Sequence, residues 1–166
     1  MNQTSISVSA DELRQMLEDG DPVTILDVRP AEERADWRIP ESVHVDAYAT
    51  LNNGNPEVLD QVDLPKDQPI VTVCAAGRTA LLAALHLRER GYNAHSLEGG
   101  MEAWSASWNA ATVPVSDDNV TILQVRRVGK GCLSYIVGSG NEAVVIDAAL
   151  DPEIYEQLAA DRKSVV

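Results

Sequence analysis

The chain has 166 residues, 45% of them hydrophobic, which is enough for one domain of ordinary size and part of another. Its 26 acidic and 13 basic residues give a formal net charge of −13, which argues against nucleic acid and membranes as partners. The first ten residues lack the pattern of a signal peptide, and the two distant cysteines make no disulfide framework, so we expect a reducing, cytoplasmic setting.

The predicted elements up to residue 108 alternate between helices and strands. In chain order they are a helix that Ser9 caps and Gly20 ends, a strand at 23–26, a short acidic helix at 31–36, a strand at 42–45, a strand at 70–73, a helix at 79–90, a strand at 93–97 and a helix that holds Trp104 and Trp108. This alternation predicts an α/β fold with a mostly parallel sheet covered by helices on both faces.

Functional side chains of such sheets gather at the carboxyl ends of the strands. Asp27 and Arg29 lie at the end of one predicted strand, and we expect them to form an ion pair that supports the neighbouring loops.

The chain changes character after Trp108. Residues 109–119 contain a proline and a polar run, so we predict a linker there and two domains, 1–115 and 116–166. Strands are predicted at 121–126, 132–137 and 143–146, followed by a helix, with Cys132 in the core. So small a segment buries little core alone, and a dimer through these strands is one way to cover it.

A tight loop, Cys74 to Thr79, joins the strand at 70–73 to the next helix. Ala75, Ala76 and Gly77 are small, so the backbone can curl and point several N–H groups at one spot. That spot is the N-terminal end of a helix, which favours negative charge and therefore a cysteine thiolate. We predict that Cys74 is a catalytic nucleophile.

Four segments make the chain resemble the rhodanese family of sulfurtransferases over roughly residues 8–108. They are DVRPAEE at 27–33, WRIPES at 37–42, the loop CAAGRT at 74–79 and LEGGMEAW at 97–104. The resemblance implies a five-stranded rhodanese-like sheet, no metal or cofactor, and transfer of sulfur from thiosulfate or a persulfide to a thiol acceptor through a Cys74 persulfide. The substrate-binding residues it implies are Ala75, Ala76, Gly77, Arg78, Thr79 and Arg38. Arg38 replaces a histidine common in the family, and its side chain faces either the site entrance or solvent.

The loop also departs from the usual family pattern. Many single-domain members have arginine at the sixth loop position, where this chain has Thr79, with Arg78 at the fifth. This variant is similar to loops of rhodanese domains fused to metallo-β-lactamase-like persulfide enzymes. Residues 131–147 resemble the opening strands of such a metallo-hydrolase domain, whose histidine zinc motif this chain lacks.

Three alternatives stay open at this point. Cysteine phosphatases and arsenate reductases also hold a thiolate in an anion-binding loop, but they need Cys-x5-Arg, and the sixth residue after Cys74 is Ala80. A rhodanese-like module without turnover could instead dock to, or feed sulfur to, a fused or partner metallo-hydrolase. Finally, Cys74 could be a small buried hydrophobe at the end of a strand.

Overall fold

A parallel sheet of five strands forms the centre of the first of two units in the structure, a computed structural model that describes residues 5–161. This unit ends at Trp104. Its strands are β1 (Ser7–Val8), β2 (Thr24–Asp27), β3 (Val43–His44), β4 (Ile70–Val73) and β5 (Ala94–Leu97), in the spatial order β1-β5-β4-β2-β3. The predicted α/β class and five-stranded parallel sheet are confirmed. The two-residue β1 was not predicted, because so short a strand shows no periodicity.

Four α-helices and one 3-10 helix lie between these strands along the chain, and a fifth α-helix follows β5. They are α1 (Ala10–Asp19), α2 (Ala31–Asp36), α3 (Tyr48–Asn52), the 3-10 helix Pro56–Gln61, α4 (Arg78–Glu89) and α5 (Gly100–Ala106). The predicted start of α1 is confirmed, since the Ser9 hydroxyl accepts from the Glu12 N–H and the Glu12 carboxylate accepts from the Ser9 N–H. The prediction that one helix holds both tryptophans is wrong, because α5 ends at Ala106, two residues before Trp108.

The side chains of the sheet alternate between two apolar clusters, one on each face. On one face, α1 and α5 contribute Leu13, Met101 and Trp104. On the other face, α4 packs its alanines and Leu87 against the sheet. Cys74 belongs to this second cluster, so the pleat of β4 directs its side chain towards α4.

The second unit, which begins at Ser105, is an antiparallel sheet with one helix. Its elements are β6 (Asn109–Val113), β7 (Val120–Arg127), β8 (Cys132–Ser139), β9 (Glu142–Ile146) and α6 (Pro152–Asp161). Val125, Ile136 and Tyr155 are the buried residues of its small core. The three strands and the helix predicted for this part of the chain are present.

Two other predictions for this region are wrong. The linker is not continuous, because Asn109–Val113 pairs with β7 along its length, and Pro114, which has no N–H to donate to a ladder, follows its last residue. Cys132 is exposed rather than in the core, since it is the first residue of β8, at the end of the ladder opposite Arg127. Among residues 5–161, no helix combines the length and the apolar character needed to cross a membrane.

Candidate active site

The junction of β4 and α4 holds the sulfur of Cys74 against backbone N–H groups. Cys74 directly follows β4 and is only 2% exposed. Its Sγ accepts hydrogen bonds from the N–H of Gly77 at 3.2 Å and from the N–H of Ala80 at 3.3 Å. Both donors belong to the loop or to the first turn of α4, where the partial positive charge of the helix end adds to theirs. The surroundings of Sγ therefore favour negative charge on sulfur.

Gly77 makes this geometry possible. Its φ of +91° is disfavoured for any residue with a Cβ, and it immediately precedes α4. A Cβ at this position would lie 3.1 Å from the Gly99 nitrogen and 3.2 Å from the Leu97 carbonyl oxygen. Glycine thus meets two requirements here, a positive φ and close contact with the chain that leads into α5.

Other donors of the loop and of the first turn of α4 have no partner among the described residues. The backbone N–H groups of Ala75, Ala76, Arg78 and Thr79 donate to no acceptor within residues 5–161. The guanidinium of Arg78 is exposed and, within the same residues, has no hydrogen bond or ion pair. These groups are free to bind an anion that approaches Cys74.

Thr79 is placed differently from the rest of the loop. It is 3% exposed, and its hydroxyl donates to the Oδ1 of Asn52 on α3 at 3.2 Å. In addition, the buried hydroxyl of Thr72 lies 2.7 Å from the carbonyl oxygen of Ala80 and ties β4 to the start of α4. Sequence reasoning did not find Asn52 or Thr72, because nothing in their local sequence indicates a partner so far along the chain.

The carbonyl groups of the loop are bound on its other side by the first turn of α5. The N–H of Met101 donates to the carbonyl oxygen of Cys74 at 2.9 Å, and that of Glu102 donates to the carbonyl oxygen of Ala75 at 3.0 Å. The sequence had marked the pair Gly99-Gly100 only as part of a family signature. Adjacent glycines at a strand-to-helix turn were the signal that another segment of backbone comes close to them.

Asp27 and Arg29, predicted as structural support, form a buried ion pair at the end of β2. They are 1% and 3% exposed, and Arg29 Nη2 lies 2.7 Å from Asp27 Oδ2. The same Nη2 also donates to the carbonyl oxygen of Trp37 at 2.7 Å, so the pair fixes the chain after α2. Arg38, one residue further on, is exposed and has no hydrogen bond or ion pair within residues 5–161, so its role stays a prediction.

The first unit is similar in sequence to known proteins. Residues 9–107, more than half of the chain, match the family model described as a rhodanese-like domain. The putative sulfurtransferase YtwF of Bacillus subtilis is 31% identical over 97 residues, which are 58% of this chain and 87% of that protein. The thiosulfate sulfurtransferase GlpE of Pseudomonas savastanoi is 34% identical over 90 residues, which are 54% of this chain and 78% of that protein.

One of the similar proteins with a solved structure is human. The human single-domain sulfurtransferase TSTD1 is 27% identical and aligns with a TM-score of 0.47, over 60% of this chain and 95% of that one. Other relatives are longer, and the matched part is 16% to 21% of their length. The family match ends at residue 107, so the resemblance of residues 131–147 to a metallo-hydrolase stays a prediction.

Proposed function

The chain belongs to the rhodanese-like family, and we propose that it moves sulfane sulfur from thiosulfate or a persulfide to a thiophilic acceptor through a persulfide on Cys74. One observation carries this proposal. The Sγ of Cys74 accepts two backbone hydrogen bonds, and four further N–H groups of the same loop and helix start have no acceptor within residues 5–161.

The proposed reaction has two displacement steps. In the first, the Cys74 thiolate attacks the outer sulfur of the donor, a new S–S bond forms at Sγ, and the donor's own sulfur–sulfur bond breaks. Sulfite or a thiolate leaves with the electron pair. In the second, an acceptor thiolate (or cyanide in an assay) attacks the outer sulfur, and Cys74 leaves as a thiolate.

The loop supplies stabilisation for the sulfur anions of both steps. A hydrogen bond to a charged group contributes about 1.5–3 kcal/mol, and Sγ accepts two such bonds before any donor arrives. We infer that the N–H groups of Ala75, Ala76, Arg78 and Thr79 bind the outer sulfur once it is attached. Because these donors are fixed by the fold, they need little reorganisation during the reaction.

The narrow access to Cys74 favours a slim, terminal sulfur as the electrophile. Cys74 is 2% exposed, whereas Ala76 and Arg78 beside it are exposed. A sulfane sulfur at the end of a donor can pass over the small side chain of Ala76, and we infer that the guanidinium of Arg78 binds the anionic remainder of the donor. Reducing conditions, such as those of the cytoplasm, would keep both cysteines in the free form that they have in the structure.

The second unit enters this proposal through its sequence. We infer that β7, β8 and β9 correspond to the opening strands of a metallo-β-lactamase-like domain, which their consecutive antiparallel pairing supports. No zinc chemistry is assigned to this chain, whose three histidines have no metal-ligand spacing with one another.

The intact mass of the protein after incubation with a donor tests the proposed function. Thiosulfate and glutathione persulfide are used in parallel, with Cys74→Ser as the control. We expect a gain of one sulfur atom that cyanide or a thiol reverses and that the control lacks. If neither donor adds sulfur to the wild-type protein, the sulfurtransferase proposal is wrong, and a docking module becomes the better account.

A further inference from the structure

The N–H groups and the carbonyl groups of the active-site loop face different partners. Its N–H edge faces the sulfur of Cys74, as the bonds from Gly77 and Ala80 show. Its carbonyl edge faces α5, where Met101 and Glu102 donate to the first two loop carbonyls. A peptide group that turns its carbonyl towards α5 cannot also turn it towards Sγ. The contact with α5 therefore keeps carbonyl dipoles away from the sulfur anion.

Gly100 is the residue at which this contact is closest. It is the first residue of α5 and has a φ of +56°. A Cβ built on Gly100 would lie 2.2 Å from the Cys74 carbonyl oxygen, 2.7 Å from that of Ala75 and 2.7 Å from the Gly77 nitrogen. All three atoms belong to the backbone of the active-site loop, so no side chain can rotate away to make room. A side chain at position 100 must displace the loop itself.

We propose that Gly100 is a positioning residue for sulfur transfer: the bare backbone at the start of α5 shapes the loop so that its N–H groups point at Cys74. The proposal rests on the function proposed above. It assigns to Gly100 an effect on the reaction that acts through the shape of the loop. This effect is separate from the need for a positive φ at position 100.

The chain contains a matched control for this idea. Gly91 also has a positive φ, +84°, but a Cβ at Gly91 would meet nothing within 4 Å. Gly100→Ala and Gly91→Ala therefore share the cost of a positive φ, and only the first also meets the loop. We expect Gly100→Ala to load sulfur at least about tenfold more slowly at saturating donor, because displaced donors stabilise the reacting sulfur less. Gly91→Ala should stay within about twofold of wild type, since its strain lies away from the loop.

Asparagine at position 100 separates the effect of the contact with the loop from the effect of the backbone conformation. Asparagine adopts positive φ more readily than alanine but carries the same Cβ. We expect Gly100→Asn to be as slow as Gly100→Ala. If Gly100→Asn loads sulfur at the wild-type rate, position 100 needs only its φ, and the proposal is overturned.

A second variant pair tests the same contact by removing one of its hydrogen bonds. Glu102 is exposed and lies in the first turn of α5, where proline is tolerated. Glu102→Pro removes the N–H that donates to Ala75, and Glu102→Ala keeps it. We expect the proline variant to have a lower kcat than the alanine variant. Equal rates for the two variants would count against the proposal. This test does not depend on whether Gly100→Ala folds.

A direct view of the geometry comes from the backbone amide resonances of Gly77 and Ala80. In the wild-type protein both should shift when Cys74 is loaded with sulfur, because both donate to Sγ. We expect smaller shifts in folded Gly100→Ala, and unchanged shifts would overturn the proposal. Failure of the wild-type protein to load sulfur would refute the proposed function instead, so the two failures are distinguishable.

Discussion

Replacement of Asp27 by asparagine removes one charge from a buried ion pair and keeps the shape of the side chain. Arg29 Nε lies 3.0 Å from Asp27 Oδ1, and Nη2 lies 2.7 Å from Oδ2, so both carboxylate oxygens hold the guanidinium. The Arg29 side chain is 4% exposed, and when the carboxylate is lost its partners within residues 5–161 are backbone carbonyls, such as that of Trp37. An amide offers it a single acceptor oxygen and no charge.

The expected cost is large because the positive charge stays buried. Removing one partner of a buried ion pair lowers the free energy of unfolding by about 3–5 kcal/mol, a substantial part of the stability of an ordinary domain. Urea unfolding followed by tryptophan fluorescence of the Asp27→Asn variant measures this loss. The double variant Asp27→Asn, Arg29→Met is the control, and it should lose less than the sum of the two single variants. A loss below about 1 kcal/mol for Asp27→Asn would mean that the pair contributes no more than a surface ion pair.

Three further predictions concern charge, the second cysteine and pH. Arg78→Ala should slow loading from thiosulfate, a dianion, by about fivefold and loading from an alkyl persulfide by less, because an exposed charge contributes roughly 1 kcal/mol. Arg90→Ala, at the far end of α4, is the control. Equal slowing with both donors would contradict a role for the charge of Arg78. Cys132→Ser should leave sulfur loading by intact mass unchanged, since Cys132 is an exposed residue of the second unit; loss of loading would show that it takes part in the transfer. Burial, with the nearby Arg88, lowers the pKa of His95, so the unfolded chain takes up the proton first as pH falls. The Tm of the wild-type protein should therefore fall between about pH 7.5 and about pH 5.5, across the ordinary histidine pKa of about 6.5. The Tm of His95→Gln should fall less over the same range. If the Tm of both proteins falls equally, the pH dependence belongs to other groups.

Short-range patterns made much of the first unit predictable. Ser9 and Glu12 define the start of α1 by contacts within four residues, and Gly20 ends the helix with a φ of +72°. The β-branched run at 70–73 and the helix after it also depend on local preferences, and both lie within one residue of their predicted bounds. The loop around Cys74 could be located in the same way, because small residues between a buried strand and a helix leave few other conformations.

Contacts between distant segments were beyond such reasoning. The linker prediction failed because the pairing of Asn109–Val113 with β7 outweighs the weak strand signal of its sequence. Cys132 was placed in the core because its strand is apolar on average, whereas its exposure depends on its position at the end of the ladder. The partner of Thr79 is Asn52, 27 residues earlier, and no spacing rule connects the two.

The same limit applies to the chemistry of Cys74. Its sequence neighbours explain why N–H groups can gather at the sulfur, but they do not determine which edge of each loop peptide faces it. That choice depends on α5, where Met101 and Glu102 bind the loop carbonyls and Gly100 leaves room for them. A chain with an intact Cys74 loop and a bulky residue at position 100 would retain the cysteine and lose the arrangement that we propose activates it. Under that proposal, sulfur transfer depends on the glycine at the start of α5 as well as on the cysteine.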